Sequence, residues 1–395
     1  MPLALFALAL GAFGIGTTEF IIAGLLPDLA ADFGTSIPTA GLLVSGYAMG
    51  VVVGAPLVTA AGARLPRKTM LVGLMVLFIA AHVLSALAPS YGALMTGRIV
   101  ASFAHGAYIG IGSVVAADLV RPERRASAIA LMFMGLSLSN VLGVPFGTFL
   151  GQNFGWRVAF WTVAVIGVAA LAGIVALVPA GARPTTGLRH ELAAFRRGQV
   201  WLALAMTALG WAPLLAVVTY VAPLLTEVAG YSADAVPFVM VLLGLGMLVG
   251  GPIGGRYADR ALMPTLYALL AAITVVAVVL LLAAGDQVAV VVVLTLYGIV
   301  ASAVIPPLQS RVLEQAVAAQ ALASAANVAA FNLGNAMGPF LAGLAISAGF
   351  GYTSPMWVAA LLGVSGLAVA LLSGVLDRRR PAAEPEHTAA CVAAS

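Results

Sequence analysis

About twelve times in 395 residues, an apolar run continues for the roughly 18 residues or more that a helix needs to cross a bilayer. The runs fall near 3–26, 40–62, 70–88, 92–117, 126–150 and 157–179, then near 200–226, 233–255, 265–284, 288–310, 321–347 and 353–376. A soluble chain of this length could bury a large core, but it would also need a polar coat. Only 8% of the residues are charged, against roughly 25% in soluble domains. A membrane barrel would show alternating segments of about ten residues, and none stand out here. The fold class expected is an all-α membrane protein. The first run has no basic leader and reads as a retained helix rather than a cleaved signal peptide.

The positive charges set the orientation. With the N-terminus inside, the inner loops hold Arg64, Arg67, Lys68, Arg121, Arg124, Arg125, Arg183, Arg189, Arg196, Arg197, Arg256, Arg260 and Arg311. The tail adds Arg378, Arg379 and Arg380, which makes 16 of the 18 Lys and Arg residues. Arg157 is left outside, and Arg98 lies within a run. This asymmetry predicts both termini in the cytoplasm. It also accounts for the formal charge of +4 without nucleic acid, because short basic clusters beside membrane spans suit anionic lipid.

Other chemistry is sparse. The single cysteine, Cys391, allows no intrachain disulfide and no thiolate metal site. Histidines 82, 105, 190 and 387 have no metal-ligand spacing, so no metal or other cofactor is expected. A Walker-type loop needs a lysine after glycine, and the only lysine, Lys68, follows Arg67. Intramembrane hydrolysis would need a Ser/His pair or paired aspartates within the bilayer. No aspartate lies more than a residue or two inside a run, so the chain is not expected to be an enzyme.

The longest polar interruption, 180–199, separates six runs from six. The flanking halves repeat faintly. "GAPLVTAAGAR" at 54–64 answers to "GGPIGGRYADR" at 250–260, "IVAS" at 99–102 recurs at 299–302, and "NVLGVPFG" at 140–147 answers to "NAMGPFLAG" at 335–343. The organisation predicted is a six-helix half over 1–179, a cytoplasmic linker over 180–199, a second six-helix half over 200–376 and a flexible tail over 377–395. Two such halves with a site between them is a transporter arrangement.

These matches carry a resemblance. With "GAFGIGTTEF", "GRIVASFAHGAYIGIGSVVAA", "GVPFGTFLGQNFGWR" and "PPLQSRV", the chain resembles the major facilitator superfamily along essentially its whole length. It is most similar to the arabinose-efflux-permease-like branch of the drug:proton antiporters. The resemblance implies twelve spans in two pseudo-symmetric halves, a bacterial inner membrane location and a working monomer. It implies export of a small organic molecule, a sugar, phenicol or other drug, in exchange for protons. Uptake by a proton symporter or a facilitator on the same fold is the alternative. The family's loop motif between spans two and three, G-x-L-A-D-R-x-G-R-R, is altered here, with Ala63 for its aspartate and Pro66 for a glycine. Arg64, Arg67 and Lys68 keep its basic part, and the second half keeps Asp259 and Arg260. The latch the motif forms in the family is therefore expected from the second half.

Of fourteen acids, only Glu19 falls well inside a run, and Arg98 is the one basic residue that does. Each costs about 2.5–3.5 kcal/mol at a helix centre, so a partner or a wet cavity is expected. Glu19 lies ~11 Å and Arg98 ~9 Å from the outer ends of their helices, so the two are expected to face each other across the cavity. Desolvation disfavours a carboxylate and a neighbouring guanidinium favours it; a glutamate between these influences can take up and release protons. His105, seven residues after Arg98, shares nearly the same face and is a candidate relay. Polar residues on the cavity helices are the substrate candidates: Tyr47, Tyr108, Asn140, Trp211, Tyr220, Gln309, Asn332 and Asn335. Gly143, Gly147 and Gly151 repeat every four residues, and with Pro145, Gly338 and Pro339 they are expected to pack helices closely.

Overall fold

A computed structural model describes residues 2–61, 65–121, 125–180, 196–316 and 320–378. Among them are twelve helices long and apolar enough to span a membrane. They are α1 (Leu3–Phe33), α2 (Ile37–Ala55), α3 (Arg67–Ala86), α4 (Tyr91–Asp118), α5 (Leu131–Phe154) and α6 (Trp156–Leu177) in the first half. The second half has α7 (Gly198–Val218), α8 (Ala233–Ala258), α9 (Leu262–Ala283), α10 (Gln287–Gln315), α11 (Ala326–Phe350) and α12 (Ser354–Arg378). Arg64, most of the 180–199 linker and the tail beyond Arg378 lie outside the described residues.

Local chemistry sets the helix ends. Ser90 and Asp286 accept hydrogen bonds from the backbone N–H of Ala93 and Ala289, capping α4 and α10. Gly155, at φ 88°, makes the single-residue turn between α5 and α6, where a side chain would be strained. Three spans are less regular than their hydropathy suggests. α7 ends at Val218, short of the run to 226, and the chain continues through Val221–Pro223 and a π-turn at Leu224–Val228. α10 breaks at Val304, where Pro306 and Pro307 lack the N–H groups a continuous helix would use. α5 carries a π-turn at Ser139–Gly143, ahead of Pro145.

The two halves pack alike. In the first, α1 contacts α5 and α6, α2 contacts α4, and α3 contacts α4 and α6. The second repeats this set as α7 with α11 and α12, α8 with α10, and α9 with α10 and α12. The main contacts between halves are α2 on α11 and α5 on α8. Small residues make these approaches possible. A Cβ at Gly143, Gly147 or Gly151 would run into Thr17, Ile21 or Leu25 of α1. One at Gly338 would run into the Ala212 carbonyl of α7.

Helices alternate in direction, so one end of the bundle gathers the start of α1, the end of α12 and the side chains of Arg67, Lys68, Arg256, Arg260 and Arg311. At this basic end Arg67 pairs with Asp118, and Lys68 donates to the Val175 carbonyl (2.8 Å). At the far end Asp32 accepts from Trp156 Nε1 and Arg157 (both 2.9 Å), and Arg157 also reaches the Ala88 carbonyl, joining α1, α3 and α6.

The glycines of α8 test this packing. A methyl at Gly250 would fall on the Ile299 carbonyl oxygen of α10, whereas one at Gly251 meets open space. Gly250→Ala should cost about 1–3 kcal/mol through overpacking. Gly251→Ala should be neutral or gain up to about 1 kcal/mol from helix propensity. Thermal unfolding in detergent, followed by fluorescence-detected size exclusion, reads the difference.

Candidate functional site

A cavity of about 340 Å³ lies between the halves. The first half contributes Gly16, Glu19, Phe20, His105, Leu136, Ser137 and Asn140 to its wall. Across from them the second half sets Trp211, Met247, Phe331, Asn332 and Asn335. On α8 and α10 the lining continues to Pro252 and Pro306, both towards the basic end of those helices. Towards the far end the space narrows to a pocket of about 20 Å³ among Phe20, Val144, Leu214, Val218, Met240 and Leu243. Ser45 of α2 donates to the Ala336 carbonyl of α11 (2.8 Å), and Tyr220 wedges against Gly41 of α2 and Gly343 of α11. This conformation is therefore open towards the basic end and closed at the other.

The walls follow the sequence repeat. Leu136, Ser137 and Asn140 on α5 stand 195 residues before Phe331, Asn332 and Asn335 on α11, and both triplets face the cavity at i, i+1, i+4 spacing. Their amides come from both halves. The titratable groups come from one.

Glu19 is partly exposed to the cavity. Its Oε1 accepts from Asn335 Nδ2 at 2.7 Å, a bond from α11 to α1 that crosses between the halves. The Asn335 oxygen in turn accepts from Trp211 Nε1 at 2.6 Å. Among the residues lining the cavity, Glu19 is the one carboxylate.

Arg98 does not face it. The expected pairing across the cavity is absent: Arg98 is 1% exposed, outside the lining, and packed behind α1. Its Nη1 donates to the Thr18 carbonyl (2.6 Å) and hydroxyl (2.9 Å), and its guanidinium stacks 4.1 Å from the centre of the Tyr47 ring. The reason is helical rotation. Residues 18 and 19 point about 100° apart, so one turns to α3 and α4 while the other turns to the cavity. Hydrogen bonds from a charged donor return about 1.5–3 kcal/mol each and a desolvated cation–π contact about 2, which together offset the insertion cost of about 2.5–3.5 kcal/mol. Among the described residues, Arg98 Nε and Nη2 find no acceptor.

Thr18 is the residue that sequence reasoning missed. His82 Nδ1 lies 2.7 Å from the Phe78 carbonyl, so that nitrogen carries the proton. In the neutral ring Nε2 then accepts from the Thr18 hydroxyl (2.7 Å), whose oxygen accepts from Arg98. Its place beside the one acid well inside an apolar run was the available signal. Tyr47, 1% exposed, links Arg98 to His105, its hydroxyl 3.3 Å from His105 Nδ1.

The other candidates divide. Asn140, Trp211, Asn332 and Asn335 line the cavity. Tyr108 is buried outside the lining, donating to the Leu8 carbonyl (3.2 Å) against Gly11. Tyr220 donates to the Pro339 carbonyl (3.0 Å) at the closed end. Gln309 is engaged with Ser324 and Asn327. These three are placed to pack helices rather than to meet a solute. The basic end also departs from expectation. Asp259 and Arg260 are exposed, and in the second half the buried Arg311 pairs with the partly exposed Asp377, supported by Ser373 (2.8 Å). Arg311, placed by the sequence in a loop, is part of the α10 packing core. Among the described residues, no ion pair at this end joins the two halves.

Residues 8–323 match the family model for the Major Facilitator Superfamily. The chain is 43% identical over 380 residues to "Inner membrane transport protein YdhP" of Escherichia coli (strain K12), covering 95% of this chain and 96% of that protein. It is 36% identical over 377 residues to "Chloramphenicol resistance protein" of Streptomyces lividans, covering 94% and 95%. A solved D-xylose-proton symporter shares the fold, with TM-score 0.77, 18% identity and coverage of 93% of this chain and 96% of that one. The twelve spans, the repeated packing and these similarities lead to one conclusion: the chain is a transporter and belongs to the Major Facilitator Superfamily.

Proposed function

We propose that this protein is a proton-coupled exporter that moves a small organic molecule across the bacterial inner membrane by alternating access. The observation that carries this reading is Glu19, the one carboxylate lining the cavity, hydrogen-bonded to the opposite half of the molecule. A proton arriving there changes the charge of the cavity and the strength of a contact between the halves at once. Arg98, held by Thr18 and Tyr47, supplies a fixed positive charge close behind α1. Substrate and proton then compete for one carboxylate, and the proton gradient drives the rocking. No cofactor is required. The membrane potential supplies about 2.3 kcal/mol per charge per 100 mV.

The lining also speaks to the solute. Both walls mix the two kinds of contact: Glu19, Ser137, Asn140 and Asn332 are polar, and Phe20, Trp211, Met247 and Phe331 are apolar. Arg98 is withdrawn, so the wall favours a neutral or cationic molecule with both polar and aromatic or aliphatic parts. Similarity to a protein named for chloramphenicol resistance supports a compound of that size. A single chain encloses the cavity, so a monomer suffices, with lipid and protons as its other partners and no nucleic acid.

In everted vesicles acidified inside, a transported compound should dissipate the gradient with the wild-type protein, and Glu19→Gln should lower that response at least tenfold. Equal responses from both proteins would remove Glu19 from the proton path. The orientation is tested separately. Alkaline phosphatase inserted between α9 and α10 should be active, and inserted in the 180–199 linker inactive. The reverse pattern would turn the open cavity to the outside.

A further inference from the structure

The Asn335 side chain is engaged at both ends. An indole N–H donates and cannot accept, so the Asn335 oxygen must face Trp211 and its amino group must face Glu19. Trp211 thus fixes Asn335 as a donor aimed at one oxygen of the carboxylate. Trp211 is itself held edge-on against Phe331. Asn332, a neighbour on the same wall, differs: its Nδ2 is spent on its own helix (Val328 carbonyl, 3.0 Å), and among the described residues its oxygen has no partner. Asn332 thus keeps an enclosed acceptor without a partner, whereas Asn335 is committed to Trp211 and Glu19.

We propose that Asn335, oriented by Trp211, is an interlock that prevents the empty, deprotonated carrier from changing conformation. This rests on the proton-coupled reading above. A hydrogen bond to an ionised acceptor is roughly twice as strong as one between neutral groups. The α1–α11 bond is accordingly strong when Glu19 is charged and weak once it is protonated. A solute that takes over the carboxylate's lone pairs weakens the bond in the same way. Exchange requires such a rule. A carrier that reorients both protonated and empty would pass protons with no solute moving. The titratable groups beside Glu19 are Tyr47 of α2 and Arg98 of α4, with His82 of α3 joined to them through Thr18 and His105 of α4 through Tyr47. From α5, α7, α8, α10 and α11, the cavity wall presents no charged group, only Ser137, Asn140, Trp211, Ser302, Asn332, Asn335 and apolar side chains. The switch is therefore the charge on Glu19 itself, read by Asn335 across the interface.

The test needs no substrate. Full-length protein is reconstituted in liposomes with an internal pH dye, and proton entry is driven by a potassium-valinomycin potential. Wild type should be tight. Asn335→Ala should leak about ten- to a hundredfold faster, the range that loss of a hydrogen bond to a charged group supports. Trp211→Phe, which keeps the ring and loses the donor, should fall between them, and Asn335→Ala combined with Glu19→Gln should be tight again. If Asn335→Ala is as tight as wild type, the interlock is wrong. If the single and double variants leak equally, protons do not pass through Glu19, and it is the proton-coupled reading that fails. Should Asn335→Ala not purify as a monodisperse protein, Trp211→Phe carries the same decision, a tight Trp211→Phe overturning the interlock. Spin labels at the exposed basic-end positions Leu65 and Tyr257, on a Cys391→Ser background, give an independent readout. The wild-type distance distribution should shift towards the open form as pH rises. Trp211→Phe should flatten that dependence, and an unchanged dependence would count against the interlock.

Discussion

Two adjacent residues on α1 carry opposite obligations, and the rest of the site is arranged around them. Thr18 faces into the first half and, through its carbonyl and hydroxyl, holds Nη1 of the buried Arg98. Glu19, one position on, faces the cavity and the other half of the molecule. A permanent charge is cheap in an apolar medium only if it is held still. A titratable charge is useful only if its surroundings can change. Splitting the pair across two faces of one helix meets both conditions, whereas a direct ion pair would have tied the acid to a fixed partner within its own half.

The duplication of the fold serves packing more faithfully than chemistry. The same helix pairs recur in both halves, and the amides at 140 and 335 stand at matching places on the cavity wall. The ionisable residues have no such counterparts. α1 and α7 begin 195 residues apart, so Glu19 answers to Leu214. By the "IVAS" match Arg98 answers to Gly298 and His105 to Ile305. One half holds the cavity's carboxylate, and the other holds the neutral donor bonded to it. Motion between two rigid halves can then be governed by the few polar contacts that cross the interface.

Much of this was legible in the sequence. Hydropathy placed twelve spans, the internal matches pointed to two halves, and insertion cost drew attention to Glu19 and Arg98. Asn335 was among the candidates because it is polar within an apolar run. Helix rotation was harder to read. α1 is apolar almost all round, so no hydrophilic stripe says which way residue 18 or 19 turns, and the depth match with Arg98 suggested a pair that a rotation of about 100° forbids. Backbone irregularities were also hidden. The break at Val304 had a cue in Pro306-Pro307, but nothing in the run 200–226 signals that α7 stops at Val218. At the basic end the loop motif drew attention to Asp259, while the acids that tie Arg67 and Arg311 to other helices are Asp118 and Asp377, distant in sequence and outside any motif.

If Glu19 changes protonation while bonded to Asn335, infrared difference spectroscopy of the reconstituted protein will show it. Lowering the pH should produce the C=O stretch of a protonated carboxyl group. That band should be missing in Glu19→Gln and should move to higher frequency in Asn335→Ala, where the carbonyl loses its donor. The same band, unshifted in both variants, would assign the proton to another group and contradict the account.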